Sequence, residues 1–253
     1  MTDKAFLNYT EVLSRLRSSL DGAASLTALG EVKNGSRSYP VEFLVLGPGN
    51  RKRVLISAGI HGDEPAGVET ICALLERKVL SSYAGVWEIS IIPCINPFGY
   101  EKATRTNHED QDLNRHFKSA NPPREVRLVQ SVFRFPFDLT LELHEDVDST
   151  GYYLYESGDA DLTGSLPARI LSEVKKVMPL NMSSEIDGSP ASGGVISRVP
   201  LAEEMDWWPM ALFARSQGAR YCMTLETAPD FPMKVRVDAH INAIRAALEH
   251  FPG

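Results

Sequence analysis

His61 and Glu64 are separated by two residues in Gly59-Ile60-His61-Gly62-Asp63-Glu64-Pro65, directly after the apolar run Arg53 to Ala58. At this spacing an imidazole nitrogen and a carboxylate oxygen can converge on one ion, each at about 2 Å. Gly59 and Gly62 allow the tight backbone turns this needs. The same residues also suit a surface histidine beside a helix N-terminus, where the helix dipole favours Asp63 and Glu64. The pair alone leaves both readings open. His144 ends a second apolar run, in Leu141-Glu142-Leu143-His144-Glu145-Asp146. A single histidine there is commonly a hydrogen-bonded structural residue. A catalytic zinc, however, takes three protein ligands and keeps one open position, and His61, Glu64 and His144 complete that set. Glu145 or Asp146 would then either orient a ligand imidazole or lie solvated.

Two more groups of residues extend the chemistry. Arg105-Thr106-Asn107 and Asp112-Leu113-Asn114-Arg115 lie close together on a polar stretch. An arginine offers a two-pronged donor and an asparagine a neutral one, which suits a carboxylate ligand. Local Asp–Arg pairing would account for the same composition. Thr224-Leu225-Glu226-Thr227-Ala228-Pro229 puts a carboxylate at the end of the last predicted strand. Near a zinc-activated water, such a glutamate is a general base and later the proton donor to the leaving amine. As a turn-capping residue it would be ordinary.

These residues need elements to hold them. Helical spacing covers Tyr9 to Leu20, Glu64 to Leu75, Glu125 to Phe133, Ala168 to Val177, Trp207 to Ser216 and Val235 to His250. Strand patterns cover Ala24 to Val32, Val41 to Leu46, Arg53 to Ala58, Trp87 to Cys94, Phe137 to Leu143, Gly151 to Tyr155 and Tyr221 to Leu225. Ile95 to Pro123 reads as a long polar loop, and Ser183 to Gly194 as a Ser/Gly/Pro-rich one. Alternating strands and helices predict an α/β fold with a mainly parallel or mixed sheet, built as one domain over residues 1–253.

Composition narrows the function classes. The chain of 253 residues carries a net charge of −7, so it has no electrostatic footprint for nucleic acid. No run of 18 apolar residues occurs, so no membrane span is expected. Cys72, Cys94 and Cys222 are far apart, odd in number and set in apolar stretches. They predict buried free thiols, and with the lack of an apolar segment in Met1 to Thr10 they predict a cytoplasmic protein. The oligomeric state is not legible.

Together the blocks resemble the zinc carboxypeptidase superfamily, which includes carboxypeptidase A-like enzymes, murein peptide amidases and the aspartoacylase/succinylglutamate desuccinylase branch. His61-Gly62-Asp63-Glu64 matches the family's His-x-x-Glu zinc pair, and Asp112-Leu113-Asn114-Arg115 its Asn-Arg carboxylate binder. Arg105 stands for the carbonyl-polarising arginine, His144 for the third ligand and Glu226 for the catalytic glutamate. The likeness spans roughly Val54 to Pro229. It implies a mixed, mainly parallel sheet with helices on both faces, one zinc ion, and hydrolysis of an amide beside a free carboxylate. The substrate would be a peptide, for a metallocarboxypeptidase or peptide amidase, or an N-acyl amino acid, for a deacylase. Departures are visible: Asp63 replaces the arginine of digestive carboxypeptidases, Glu145 replaces a small residue, and the mobile substrate-binding tyrosine has no clear counterpart among Tyr152, Tyr153 and Tyr155. The segment 183–208 is expected to form specificity loops.

Overall fold

The computed structural model describes residues 7–20, 26–159, 165–197 and 205–252. Its elements run α1 (Tyr9–Ser19), β1 (Leu26–Asn34), β2 (Arg37–Leu46), β3 (Lys52–Ala58), α2 (Pro65–Glu76), β4 (Trp87–Ile92), α3 (Pro97–Lys102), α4 (Arg124–Gln130), β5 (Leu139–Glu145), β6 (Tyr153–Gly158), α5 (Ser165–Val174), β7 (Glu185–Ile186), β8 (Ser189–Pro190), β9 (Val195–Ile196), α6 (Met210–Ser216), β10 (Tyr221–Thr227) and α7 (Met233–His250). Eight strands form one sheet in the order β1-β2-β4-β3-β5-β10-β6-β9. The central strands β4, β3, β5 and β10 are mutually parallel, while β1, β2 and β6 join antiparallel. This is the mixed, mainly parallel sheet expected.

Helices cover both faces. Side chains of β3, β5 and β10 such as Ile56, Leu141, Leu143, Met223 and Leu225 meet Val68, Ile71, Leu171 and Ile244 of α2, α5 and α7 on one side. Leu55 and Cys222 meet Val126, Val129, Met210 and Ala214 of α4 and α6 on the other. All seven residues of β5 are buried. A central strand covered on both faces normally reads as an unbroken apolar run, because a buried polar group costs stability unless it is paired. Thr140, Glu142, His144 and Glu145 interrupt that run, and the interruptions at its carboxyl end lie at the candidate site.

Several boundaries differ from the sequence reading. The long loop Ile95 to Pro123 contains α3 and a 3-10 turn at Leu113–Arg115, both too short to show periodicity. Asn96 caps α3 by accepting from Gly99 N at 2.9 Å, and Pro97 starts it. The predicted loop 183–194 carries the β7–β8 hairpin, closed by Asp187 and Gly188 at positive φ. The start of the strand predicted from Ala24 and residues 198–204 of the expected specificity segment lie outside the described residues. Cys72, Cys94 and Cys222 are buried and unbridged. No described helix is long and apolar enough to cross a membrane.

Candidate active site

Because β3, β5 and β10 are parallel, their carboxyl ends open on the same edge, where open α/β sheets bind ligands. His61 and Glu64 lie on the turn from β3 to α2, His144 near the end of β5, and Glu226 near the end of β10. Glu226 pairs in register with His144, so both side chains leave the sheet on one face. Gly62 lets the first turn dock: a Cβ there would lie 1.9 Å from the Gly99 carbonyl carbon. No side chain can yield to relieve a backbone clash. Gly62→Ala is therefore expected to destabilise the fold by at least about 1–3 kcal/mol, read as a lowered midpoint in thermal unfolding.

His61 Nδ1 lies 2.7 Å from Glu64 Oε1, and His144 Nδ1 lies 2.9 Å from Glu64 Oε2. One ligand atom from each of the three residues falls within 4.8 Å of the others, and all three residues are buried. Two imidazole nitrogens and a carboxylate converging in this way form a fitting donor set for zinc. Glu64 is held well below its usual range, to about 2, because both histidines outweigh the cost of its burial. Asp112 Oδ1 contacts His61 Nε2 at 3.1 Å. This fixes the imidazole so that Nδ1 faces the other ligands, the arrangement by which a second carboxylate orients a metal-binding histidine. The sequence reading placed Asp112 only within the Asn-Arg block; its contact with His61 bridges 51 positions and leaves no local signature.

Around this centre, Arg105 Nη1 lies 3.3 Å from Glu64 Oε1 and its Nε donates to Asp112 Oδ2 at 3.1 Å. Asp112 also forms an ion pair with Arg115 Nε at 3.3 Å, and the Arg115 guanidinium lies over the Trp207 ring at 5.3 Å. Local Asp–Arg pairing is thus present, and it holds the guanidiniums at the cavity wall. Asn114 Oδ1 accepts from Met210 N at 2.9 Å, and its amide NH2 has no hydrogen-bond acceptor among the described residues. Glu226 is 8% exposed, and burial, with the charges of Glu64 and Asp146, pushes it up to about 8 against the pull of His144. His61, Glu64, Arg105, Asn114, Arg115, His144 and Glu226 line one cavity of about 590 Å³.

The tyrosines separate by face. Tyr152 points away from the site and shares a hydrogen bond with His240 Nδ1 at 3.2 Å. Tyr153 lies opposite Glu226 in the antiparallel register and donates to Asp146 Oδ2 at 2.9 Å. Tyr155 donates to Asp187 Oδ2 at 2.7 Å. Glu142, two residues before His144 and fully buried, has no hydrogen-bond partner for Oε1, and burial pushes it up to about 7.

The fold and the site define an α/β protein with a buried His-Glu-His centre at the carboxyl edge of its sheet. Residues 50–249 match the model of the succinylglutamate desuccinylase/aspartoacylase catalytic domain, and the chain belongs to that family, within the wider zinc carboxypeptidase-like superfamily. Among curated proteins, it is 40% identical over 73 residues to murein peptide amidase A of Escherichia coli K12, a stretch that covers 28% of each chain. Among solved structures, a candidate metallopeptidase of Shewanella amazonensis shares the fold with TM-score 0.83 at 23% identity, covering 98% of this chain and 97% of that one. A metallo-carboxypeptidase of Pseudomonas aeruginosa, solved with (2-guanidinoethylmercapto)succinic acid, aligns with TM-score 0.68 at 18% identity over 95% of this chain and 68% of its own.

Proposed function

We propose that this chain is a zinc-dependent hydrolase that cuts an amide bond beside a free carboxylate, acting as a metallocarboxypeptidase or peptide amidase. The observation that carries this reading is the gathering of the three metal-ligand side chains, Glu226 and the Asn114-Arg115 pair around one cavity. His61, Glu64 and His144 would hold a single zinc ion. When bound, zinc supplies a Lewis acid that polarises a carbonyl and allows water to act as a nucleophile near neutral pH. Glu226 takes the proton from the attacking water and later delivers it to the leaving nitrogen. Arg105, about half exposed beside Glu64, donates to the carbonyl oxygen as charge develops there. Asn114 and Arg115 grip the free carboxylate and set the register of the scissile bond.

The family model covers deacylases of N-acyl amino acids, so that activity is the second reading. The cavity lining favours the first. Besides the carboxylates already committed to the histidines, to an arginine or to Glu226's role, Asp63, Asp146, Asp148, Glu156 and Asp187 line it, against Arg105 and Arg115. An N-acyl amino acid carrying two or more carboxylates, such as N-acetyl-aspartate or succinyl-glutamate, would meet repulsion there. A side-by-side assay of a peptide panel with free C-termini against N-acetyl-aspartate and succinyl-glutamate separates the two. Absence of stoichiometric zinc after reconstitution would remove both.

Arg115→Met tests the carboxylate grip. A hydrogen bond to a charged group contributes about 1.5–3 kcal/mol, so kcat/KM should fall roughly 10- to 150-fold on a free C-terminal carboxylate. The same variant should change little on the matching C-terminal amide. Equal losses on both substrates would place Arg115 outside substrate binding.

A further inference from the structure

Glu145 follows His144 on β5, so its side chain leaves the sheet on the face opposite the His144 imidazole. It is buried there, with 2% of its side chain exposed, and forms an ion pair with Arg236 Nη1 of α7, whose side chain is 12% exposed. Its Oε1 accepts from Ala66 N at 2.6 Å, in the first turn of α2. Its own backbone N–H donates to Glu64 Oε2 at 3.2 Å. Glu64 occupies the cap position of α2 yet makes no side-chain cap bond, because its carboxylate faces the two histidines. The helix N-terminus therefore takes its anion from Glu145, reaching across from another strand. Backbone and side chain of this one residue bear on Glu64 from two directions.

We propose that Glu145 and Arg236 form a clamp whose role is to position Glu64 as a metal ligand. A buried ion pair is a poor source of net stability, because desolvating two charges offsets their attraction. What this pair does supply is a fixed acceptor for Ala66 N, and so a fixed start for the helix that follows Glu64. Arg236 neutralises the anion that the position requires. The proposal rests on reading His61, Glu64 and His144 as the metal ligands.

The test measures zinc affinity by competition with a chromophoric chelator, alongside thermal unfolding of the metal-free protein. Glu145→Ala/Arg236→Met removes the acceptor without leaving a buried arginine unpaired. It is expected to fold and to bind zinc about 10- to 100-fold more weakly than the parent, the usual effect of losing a group that orients a ligand. Glu145→Gln/Arg236→Met keeps an oxygen that accepts from Ala66 N and should recover most of that loss. A folded alanine variant with the parent's zinc affinity would overturn the clamp. So would failure of both double variants to fold, which would assign the pair to the scaffold. A parent protein that binds no zinc is a different outcome: it removes the metal-site reading beneath the proposal.

Discussion

Replacing Glu226 with glutamine is expected to lower kcat by roughly 10²- to 10⁴-fold, the range that a positioned general base contributes. Glutamine preserves the shape of a side chain that is buried and paired in register with His144, but cannot accept the water's proton. The variant should fold at least as well as the parent. Burial, with the charges of Glu64 and Asp146, raises the Glu226 carboxyl from its ordinary 4.5 to about 8. With a folded value above the unfolded one, the native state holds more protons between pH 4.5 and 8, so this group costs the metal-free protein stability as pH rises through that window. Removing the charge removes the cost. Zinc content should be unchanged, since none of the three ligand residues is altered. Single-turnover and steady-state rates on the zinc-loaded variant provide the check, and parental kcat would end the assignment of Glu226 as base.

The residues of the site were legible wherever chemistry follows from short spacing. His61 and Glu64 share one turn, and Asn114 and Arg115 are adjacent. His144 and Glu226 each end an apolar run, and their convergence follows once β5 and β10 are parallel neighbours. What escaped the sequence depends on faces and long separations. For Glu145 the alternatives were orienting an imidazole or lying solvated. In the fold it does neither, because strand alternation carries it through the sheet to Ala66 and Arg236. Arg236 lies 91 positions from Glu145, beyond the reach of any local pattern. Asp112 was visible as part of a block, but its role toward His61 required the loop's path. The fold class was read correctly because strand and helix periods alternate strongly. α3 and the β7–β8 hairpin were missed because six-residue and two-residue elements carry too few positions to show a period.

Zinc loading is expected to raise the unfolding midpoint substantially, and the size of that rise should depend on pH. At free zinc 1,000-fold above Kd, binding to the native state alone stabilises by about 4 kcal/mol, less whatever zinc the unfolded chain binds. For a chain of this size each kcal/mol corresponds to about 2–4 °C, so the shift should approach 8–16 °C. Without metal, burial pulls His61 down, but Asp112 and Glu64 more than offset it and raise the group from 6.5 to about 9. That protonated network stabilises the metal-free protein fully below pH 6.5 and loses its contribution as pH climbs through 9. A metal ligand must be deprotonated, so zinc competes with this proton. The zinc-induced shift should therefore be smaller at pH 6.5 and larger at pH 9. His144→Ala should abolish most of it at both values, since two remaining ligands do not complete a three-ligand site. Scanning fluorimetry with and without zinc at the two pH values reads all of this. An unchanged midpoint in the parent, or an equal shift in His144→Ala, would mean that the Nδ1 atoms of His61 and His144 converge on Glu64 for the fold alone.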